Sequence, residues 1–343
     1  MKKSAVSRRR VLQAAAAVPI AGAMAAGFAR SARAAPVTLR LATPFNLDPT
    51  LSPAKVFYDK FTEELKKNCG DQIVIEIFPD SQLGGDADYI PQLKFGTVDI
   101  MMTGTAIWAT IVPEIGIFDL GYMFQDFGHF DRTLDGTVGK TLEATMAAKS
   151  QVTVLGWAHS FGARNMLTKK LVKTPADLAG MRIRSLPSPP VIETVRAMGA
   201  LPTPIPINEA YISLQTGLVD GIEHDSPTIL ASKFYETAKF LCLTQHTYQS
   251  IAPIMANRAL NLVPENLRAG LLAAGKAAVV HERAFSLTAE AHALEELQKT
   301  EGVQVTTCDR SLFEVRCHPL WDAYGDKNPA AKPLIEQTIK YRA

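Results

Sequence analysis

The stretch DLAGMRIRSLPSPPVIETVRAMGALPTPIPINEAYISLQTGLVDGIEH, residues 177–224, decides how the rest of the chain is read. A turn and a short strand occupy 177–185. Pro189 and Pro190 then open a helix over 188–199, because proline is tolerated in a first helical turn but not in an interior. A second helix over 208–217 stops at Gly217, and a short strand follows over 218–224. Strands and helices at this spacing predict an α/β unit.

The same stretch runs into GLVDGIEHDS, 217–226, which packs Asp220, Glu223, His224 and Asp225 into six residues. Such a cluster could hold a metal, supply an acid–base pair, or form a polar loop. Glu223 and His224 are neighbours on a strand, so their side chains point to opposite faces. No His-Glu-x-x-His or His-x-His pattern accompanies them. The metal reading is therefore the weaker one. Asp220-Gly221 reads as a turn pair whose glycine permits a left-handed backbone.

The alternation extends outward. VTLRLAT, 37–43, reads as a strand. The helix over 52–68 has Ser52 as N-cap and Pro53 at its first position, with Phe57, Phe61 and Leu65 on one face. A strand over 72–79, a short helix in DADYIPQLKFG and a strand over 98–104 complete a pattern expected of a parallel, doubly wound sheet. QVTVLGWA, 151–158, reads as a strand, and SFGARNML as a strand-to-helix turn carrying Arg164. Beyond Pro264 a long helical pattern runs to about Lys299. A strand over 302–309 and two helices close the chain. No low-complexity linker separates the halves. The chain is thus expected to cross between two lobes more than once and to leave a cleft at the strand ends.

Residues 1–34 stand apart. A basic start, an Ala-rich apolar run and Ala32-x-Ala34 predict a signal peptide, of twin-arginine type from Ser7-Arg8-Arg9. These residues hold seven bases and no acid, so the formal charge of +2 becomes −5 once they are removed. A mildly acidic mature chain argues against nucleic acid as a partner. Cys69, Cys242, Cys308 and Cys317 form no Cys-x-x-Cys motif, which disfavours a zinc knuckle. In an exported protein both disulfide pairing and buried free thiols are open to them.

Over nearly the whole mature length the sequence resembles the periplasmic solute-binding subunits of tripartite ATP-independent periplasmic (TRAP) transporters, the DctP family. FPDSQLGGDADYIPQLKFGTVDIMMTG, 78–104, is similar to the family's strand, Gln-Leu-Gly, helix and Gly-x-x-Asp. Residues 177–224 are similar to its Asp-Leu-x-Gly-x-x-Ile-Arg, Gly-Ala-x-Pro, Glu-x-Tyr and Gln-x-Gly-x-Val-Asp-Gly-x-Glu, in order and at matching spacing. The resemblance implies an α/β, two-lobed, type II-like periplasmic binding fold with the ligand in the interlobe cleft and a long helix spanning both lobes. Residues 35–161 plus 250–289 are expected to form lobe 1, and 162–249 plus 290–343 lobe 2. The implied protein is periplasmic and monomeric, and it uses no metal or cofactor. It does no covalent chemistry. It binds a small organic acid, a C4-dicarboxylate, sugar acid or related carboxylate, and hands it to TRAP permease membrane subunits.

The resemblance also assigns residues. Arg184, the arginine of Gly-x-x-Ile-Arg, is expected to bind the ligand carboxylate, because a planar guanidinium offers two parallel donors that lysine cannot copy. Arg164, twenty residues earlier, is expected second. His224 stands where many members carry asparagine and is expected to face the cleft, with Glu223 orienting its neighbours. Phe45, Asn46 and Trp108 follow strands of the first lobe and are expected to add cleft contacts, as is Tyr211. Trp157, His159 and Phe161 lead into the Arg164 segment, where an aromatic ring could stack on the ligand or simply pack in the core. Two other functions remain open on the sequence alone: a metal-dependent lyase or hydrolase built on the His224 cluster, and a ligand-sensing subunit of a membrane kinase. No Gly-x-Ser-x-Gly elbow or P-loop supports an enzyme.

Overall fold

The computed structural model describes residues 35–342, except for the side chains of Ser160 and Phe161. The expected signal peptide and the expected entrance residue Phe161 lie outside the described residues. Ten strands form one mixed sheet: β1 (Val37–Ala42), β2 (Ile73–Phe78), β3 (Ile100–Gly104), β4 (Val152–Val154), β5 (Ala158–Thr168), β6 (Arg182–Ser185), β7 (Leu201–Pro204), β8 (Gly221–Asp225), β9 (Phe240–Ala256) and β10 (Gln304–Thr307). The order is β2-β1-β3-β9-β5-β8-β6-β7, with β4 and β10 also paired to β9.

Each flank of the sheet is parallel, as the alternation of strands and helices requires: β2-β1-β3 on one side and β8-β6-β7 on the other. The centre is not. β3 with β9, β9 with β5, and β5 with β8 are all antiparallel. The expected doubly wound parallel sheet therefore holds only for the flanks. SFGARNML is not a strand-to-helix turn; it continues within β5 and places Arg164 in the sheet's middle. The apparent single strand 151–158 is broken at Gly156, which sits at φ 152° with Val279 side-chain atoms 3.0 Å from where a Cβ would lie.

The two central strands carry the chain between lobes. One end of β9 pairs with β3, at Ile100↔Met255. Its other end pairs with β10, at Gln304↔Phe240. β5 follows β9 along its length, from Ala158↔Ile251 to Thr168↔Phe240, with two register shifts. Gln245 of β9 takes φ 44°, and its N–H donates to Asn165 Oδ1 at 3.0 Å. These irregularities sit where the sheet passes from one lobe to the other.

Helices complete the layers. The helix Pro53–Cys69 has the Ser52 cap that the sequence predicts, with Ser52 Oγ accepting from the Lys55 N–H at 3.2 Å. Its Phe57, Phe61 and Leu65 are buried against the first-lobe core. The helix Glu265–Lys299 has 35 residues, a length of about 50 Å at 1.5 Å per residue. Leu267 and Leu271 pack into the first-lobe core, while Leu297 joins Ile222 and Phe234 in a core of the second. This is the long helix expected to span both lobes. The chain closes with three short helices, one more than expected. Trp321, Leu334 and Ile335 of this closing segment pack in the first-lobe core. All four cysteines are free thiols, and three are buried. Among the described residues no helix is long and apolar enough to cross a membrane.

Gly221 also differs from its expected role. It does not adopt a left-handed conformation; Gly217 does, at φ 76°. Gly221 instead opens β8 where a Cβ would lie 2.6 Å from the Leu167 carbonyl oxygen and 2.8 Å from Ile183 Cδ1. The constraint is close approach of β5 and β6, which only a missing side chain allows. Gly221→Ala is expected to destabilise the fold by about 1–3 kcal/mol, the ordinary cost of overpacking. Urea unfolding of the two proteins checks it, and equal midpoints would remove the packing argument.

Candidate functional site

Arg184 lies on β6, whose Ile183 points the other way into a core cluster. Arg184 is wholly buried. Its Nε donates to the Ile205 carbonyl at 2.7 Å. Nη1 and Nη2 are buried and have no protein partner. Burial pushes its pKa down to about 10, against the opposing pull of Glu223, and the group stays protonated at neutral pH. A buried guanidinium with both terminal nitrogens unsatisfied is costly. It is also a fork preset for an anion.

Arg164, equally buried, is held differently. β5 and β8 pair Met166 with Glu223, so Arg164 and Glu223 lie diagonally on one face. Arg164 Nε donates to Glu223 Oε2, and Nη2 donates to Glu223 Oε1 and to the Glu223 carbonyl, each at 2.8 Å. Nη1 donates to Gln249 Oε1 at 2.9 Å, and Gln249 Nε2 donates on to Asp119 Oδ1 at 2.8 Å. Burial alone would raise the Glu223 pKa, but Arg164 overrides it and holds the carboxyl well below its usual range. Most of Arg164's donors are thus spent inside the protein.

Arg164 borders a small pocket, whereas Arg184 is not among its lining residues. Leu186, Ile207 and His224 line it beside Arg164, Phe45, Asp86 and Thr103 line it from the first lobe, and Gln249 lines it from the central strand β9. Asp86 is buried, and its carboxyl is pushed up to about 6 by burial, against the lowering effect of Arg184. Its Oδ1 has no partner. Asp119, behind Gln249, is pushed up to about 7 by burial. His224 is held below the usual histidine range by burial and then by Arg164. Its Nδ1 lies 2.9 Å from Asp225 Oδ2 and 3.0 Å from the Asp225 N–H. Nε2 is therefore left to the pocket, as donor or acceptor according to the tautomer. The free space is about 20 Å³, room for roughly one water, so any larger ligand requires the lobes to part.

The residues expected from the sequence do not all meet here. Arg164, His224 and Phe45 line the pocket together, and Arg184, which does not line it, interacts electrostatically with the lining residue Asp86. Glu223 serves Arg164. Asn46 is used locally: its side-chain oxygen accepts the Asp48 N–H, and its carbonyl accepts Ser52 Oγ. Tyr211 bonds Glu236 at 2.7 Å on an exposed face. Trp108 is buried in the first-lobe core and faces a separate hollow. Trp157 packs edge-on against Phe118, with ring centroids 5.5 Å apart. His159 bonds Asp131 and Ser286 at 2.7 and 3.2 Å. The sequence reading missed Asp86, Thr103, Gln249 and Asp119. Asp86 follows the paired glycines of QLGGD, a signal that could have found it. Gln249 and Asp119 carry no local pattern. Among the described residues, no three His, Cys, Asp or Glu side chains converge as metal ligands.

Comparison with known proteins follows the same line. Residues 47–328 match the family model described as bacterial extracellular solute-binding protein, family 7. The chain is 29% identical over 255 residues to the 2,3-diketo-L-gulonate-binding periplasmic protein of Escherichia coli K12, covering 74% of this chain and 77% of that one. A TRAP periplasmic solute-binding protein from Polaromonas sp. JS666 bound to D-erythronate superposes with a TM-score of 0.82 at 29% identity, covering 88% of this chain and 98% of the other. One from Xanthobacter autotrophicus Py2 with bound β-D-galacturonate does so with a TM-score of 0.82 at 28% identity and the same coverage.

The two arginines should respond oppositely to mutation. Glu223→Ala strands a buried Arg164 and is expected to cost about 3–5 kcal/mol of stability. Arg184→Met loses one bond to a carbonyl and removes an unpaired buried charge, so stability should hold or rise. Chemical denaturation of both variants tests this; a large loss for Arg184→Met with none for Glu223→Ala would exchange the two roles.

Proposed function

The chain belongs to the bacterial extracellular solute-binding proteins of family 7, and on that premise we propose that it captures a hydroxylated monocarboxylate, of the sugar-acid class, between Arg184 and the Asp86 wall. In this reading it acts in the periplasm as a monomer, delivers the acid to TRAP permease membrane subunits, and performs no covalent chemistry. The observation that carries it is the pair of buried, unsatisfied Arg184 nitrogens. They suit the two oxygens of one carboxylate, and Arg164 Nη1 stands second.

Charge selects the rest of the ligand. Among Arg164, Arg184, Glu223, Asp86 and Asp119, one net positive charge remains when both aspartates are protonated, and their ionisation removes it. A second carboxylate would enter without a partner, at the cost of burying a bare charge. The remaining polar groups, Thr103, His224, Gln249 and Asp86, offer hydrogen bonds to hydroxyl or keto oxygens. The ligands in the names of the three similar proteins, diketogulonate, erythronate and galacturonate, are each monocarboxylates with oxygens along the carbon chain.

Calorimetric titration with D-galacturonate, D-erythronate and succinate tests this reading. A sugar acid is expected to bind more tightly than succinate. Arg184→Ala should weaken that binding by about 2–5 kcal/mol, as for one partner lost from a buried charge pair. Arg184→Lys should also weaken it, because one ammonium cannot make the fork. Tighter binding of succinate than of either sugar acid would overturn the monocarboxylate assignment.

The Asp86 carboxyl adds a pH dependence. Its pKa lies near 6. Below that pH the group is neutral and Arg184 is uncompensated; above it, the carboxylate competes with the ligand for the same guanidinium. Affinity for the sugar acid is therefore expected to fall severalfold from about pH 5 to about pH 8, and Asp86→Asn should flatten the profile. Titrations across that range decide it: a profile unchanged by Asp86→Asn assigns the dependence to another group.

A further inference from the structure

A second hollow, larger than the arginine pocket, lies elsewhere. It opens on the first lobe, has a volume of about 530 Å³, and includes Trp108 in its wall. That volume lies within the ordinary range of small-molecule sites, roughly 300–1,000 Å³. Its walls are the helix Tyr89–Phe95, the turn after β3, the junction of the helix Thr137–Ser150 with β4, and the end of β9. None of the described residues lining it is among those lining the arginine pocket.

Two features give it chemical character. First, its described lining includes three cations, Lys94, Lys149 and Arg258, and no acid. Arg258 is anchored by the Leu93 and Val98 carbonyls and by Asp99. Lys149 reaches Glu114 at 2.6 Å but remains 46% exposed. Lys94 forms no ion pair with a described residue. Second, two polar atoms in the wall are buried without partners: Trp108 Nε1, on a side chain that is 1% exposed, and Ser150 Oγ. An indole N–H can only donate, and leaving it unpaired in a buried site costs about 1–3 kcal/mol. The remaining walls, including Leu93, Ile111 and Val152, are apolar.

We infer that this hollow is a second ligand site, separate from the interlobe pocket, for an organic anion with an apolar body, such as an arylcarboxylate. The anionic head sits toward Lys94 and Lys149, with the Trp108 ring in the wall beside it. The apolar body lies against the Leu93–Ile111–Val152 wall. This accounts for a tryptophan that the sequence reading expected in the main cleft and the fold turned elsewhere.

The test uses the full protein with its three tryptophans labelled at the indole nitrogen, and 1-naphthoate as probe. Trp108→Phe identifies the Trp108 resonance. The expected result is a saturable shift of the Trp108 signal, with those of Trp157 and Trp321 unmoved. The double variant Lys94→Ala, Lys149→Ala should bind about fivefold more weakly, the scale of a partly exposed charge contact. Arg184→Ala should leave the titration unchanged. The inference fails if Trp108 does not respond at the solubility limit of the probe. It also fails if 1-naphthalenemethanol, which carries no charge, binds as well as the acid. Loss of the shift in Arg184→Ala would show that the probe reads the interlobe pocket instead.

Discussion

Two charges wholly withdrawn from water, Arg164 on β5 and Glu223 on β8, have to satisfy each other. Both side chains are 1% exposed or less, and the desolvation of either alone would exceed what most single contacts return. They succeed because neighbouring antiparallel strands set them diagonally on one face, where the guanidinium fork meets the carboxylate and the Glu223 carbonyl together. Gln249 continues the network to Asp119. That chain of bonds crosses from the second lobe to the first. The pair therefore neutralises itself, ties β5 to β8, and leaves Arg184 as the guanidinium whose terminal nitrogens remain unsatisfied.

The contrast between the two arginines illustrates how a binding site is kept in a stable fold. Arg164 contributes to stability because its donors are used. Arg184 carries a deficit: one bond to Ile205 and two buried nitrogens without partners. A protein selected for stability alone would fill that place with an apolar side chain. In the proposed function this deficit gives an incoming anion its advantage, since the cost of withdrawing Arg184 from water has already been met in folding. Asp86 and Asp119 fit the same economy of charge. Burial raises their pKa values to about 6 and about 7, so each loses its negative charge as the pH falls through that range.

The central strands make the pocket two-sided. Residues along β9 serve different surroundings: Gln249 lines the pocket, one end of the strand pairs with β3, and the other end pairs with β10. Register shifts in β5 and the left-handed Gln245 concentrate irregular backbone at the crossing. With only about 20 Å³ free, a sugar-sized ligand cannot enter without movement there. The long helix packs at one end with Leu39 and Phe57 and at the other with Ile222 and Phe234, so it joins the same two core clusters that the crossing strands join.

Local chemistry in the sequence was enough to determine a good deal. Ser52-Pro53 marked a helix start, the spacing of Phe57, Phe61 and Leu65 marked its buried face, and the ordered signatures marked the family, because each depends on residues close together along the chain. What lay between the lobes was legible only in tertiary structure. β9 is buried on both faces along much of its length and contains Pro253, so it shows neither the alternation nor the composition that marks a strand. Without β9, the antiparallel centre could not be read, and Arg164 was given to a turn. Trp108 and Tyr211 sat at plausible places in the sequence but were turned elsewhere by packing that no local pattern records. Asp119 and Gln249 lie 130 positions apart, and their union at the site follows from strand order alone. Contacts within one turn or strand are written in neighbouring residues, whereas contacts across a sheet exist only after the strands have found their order.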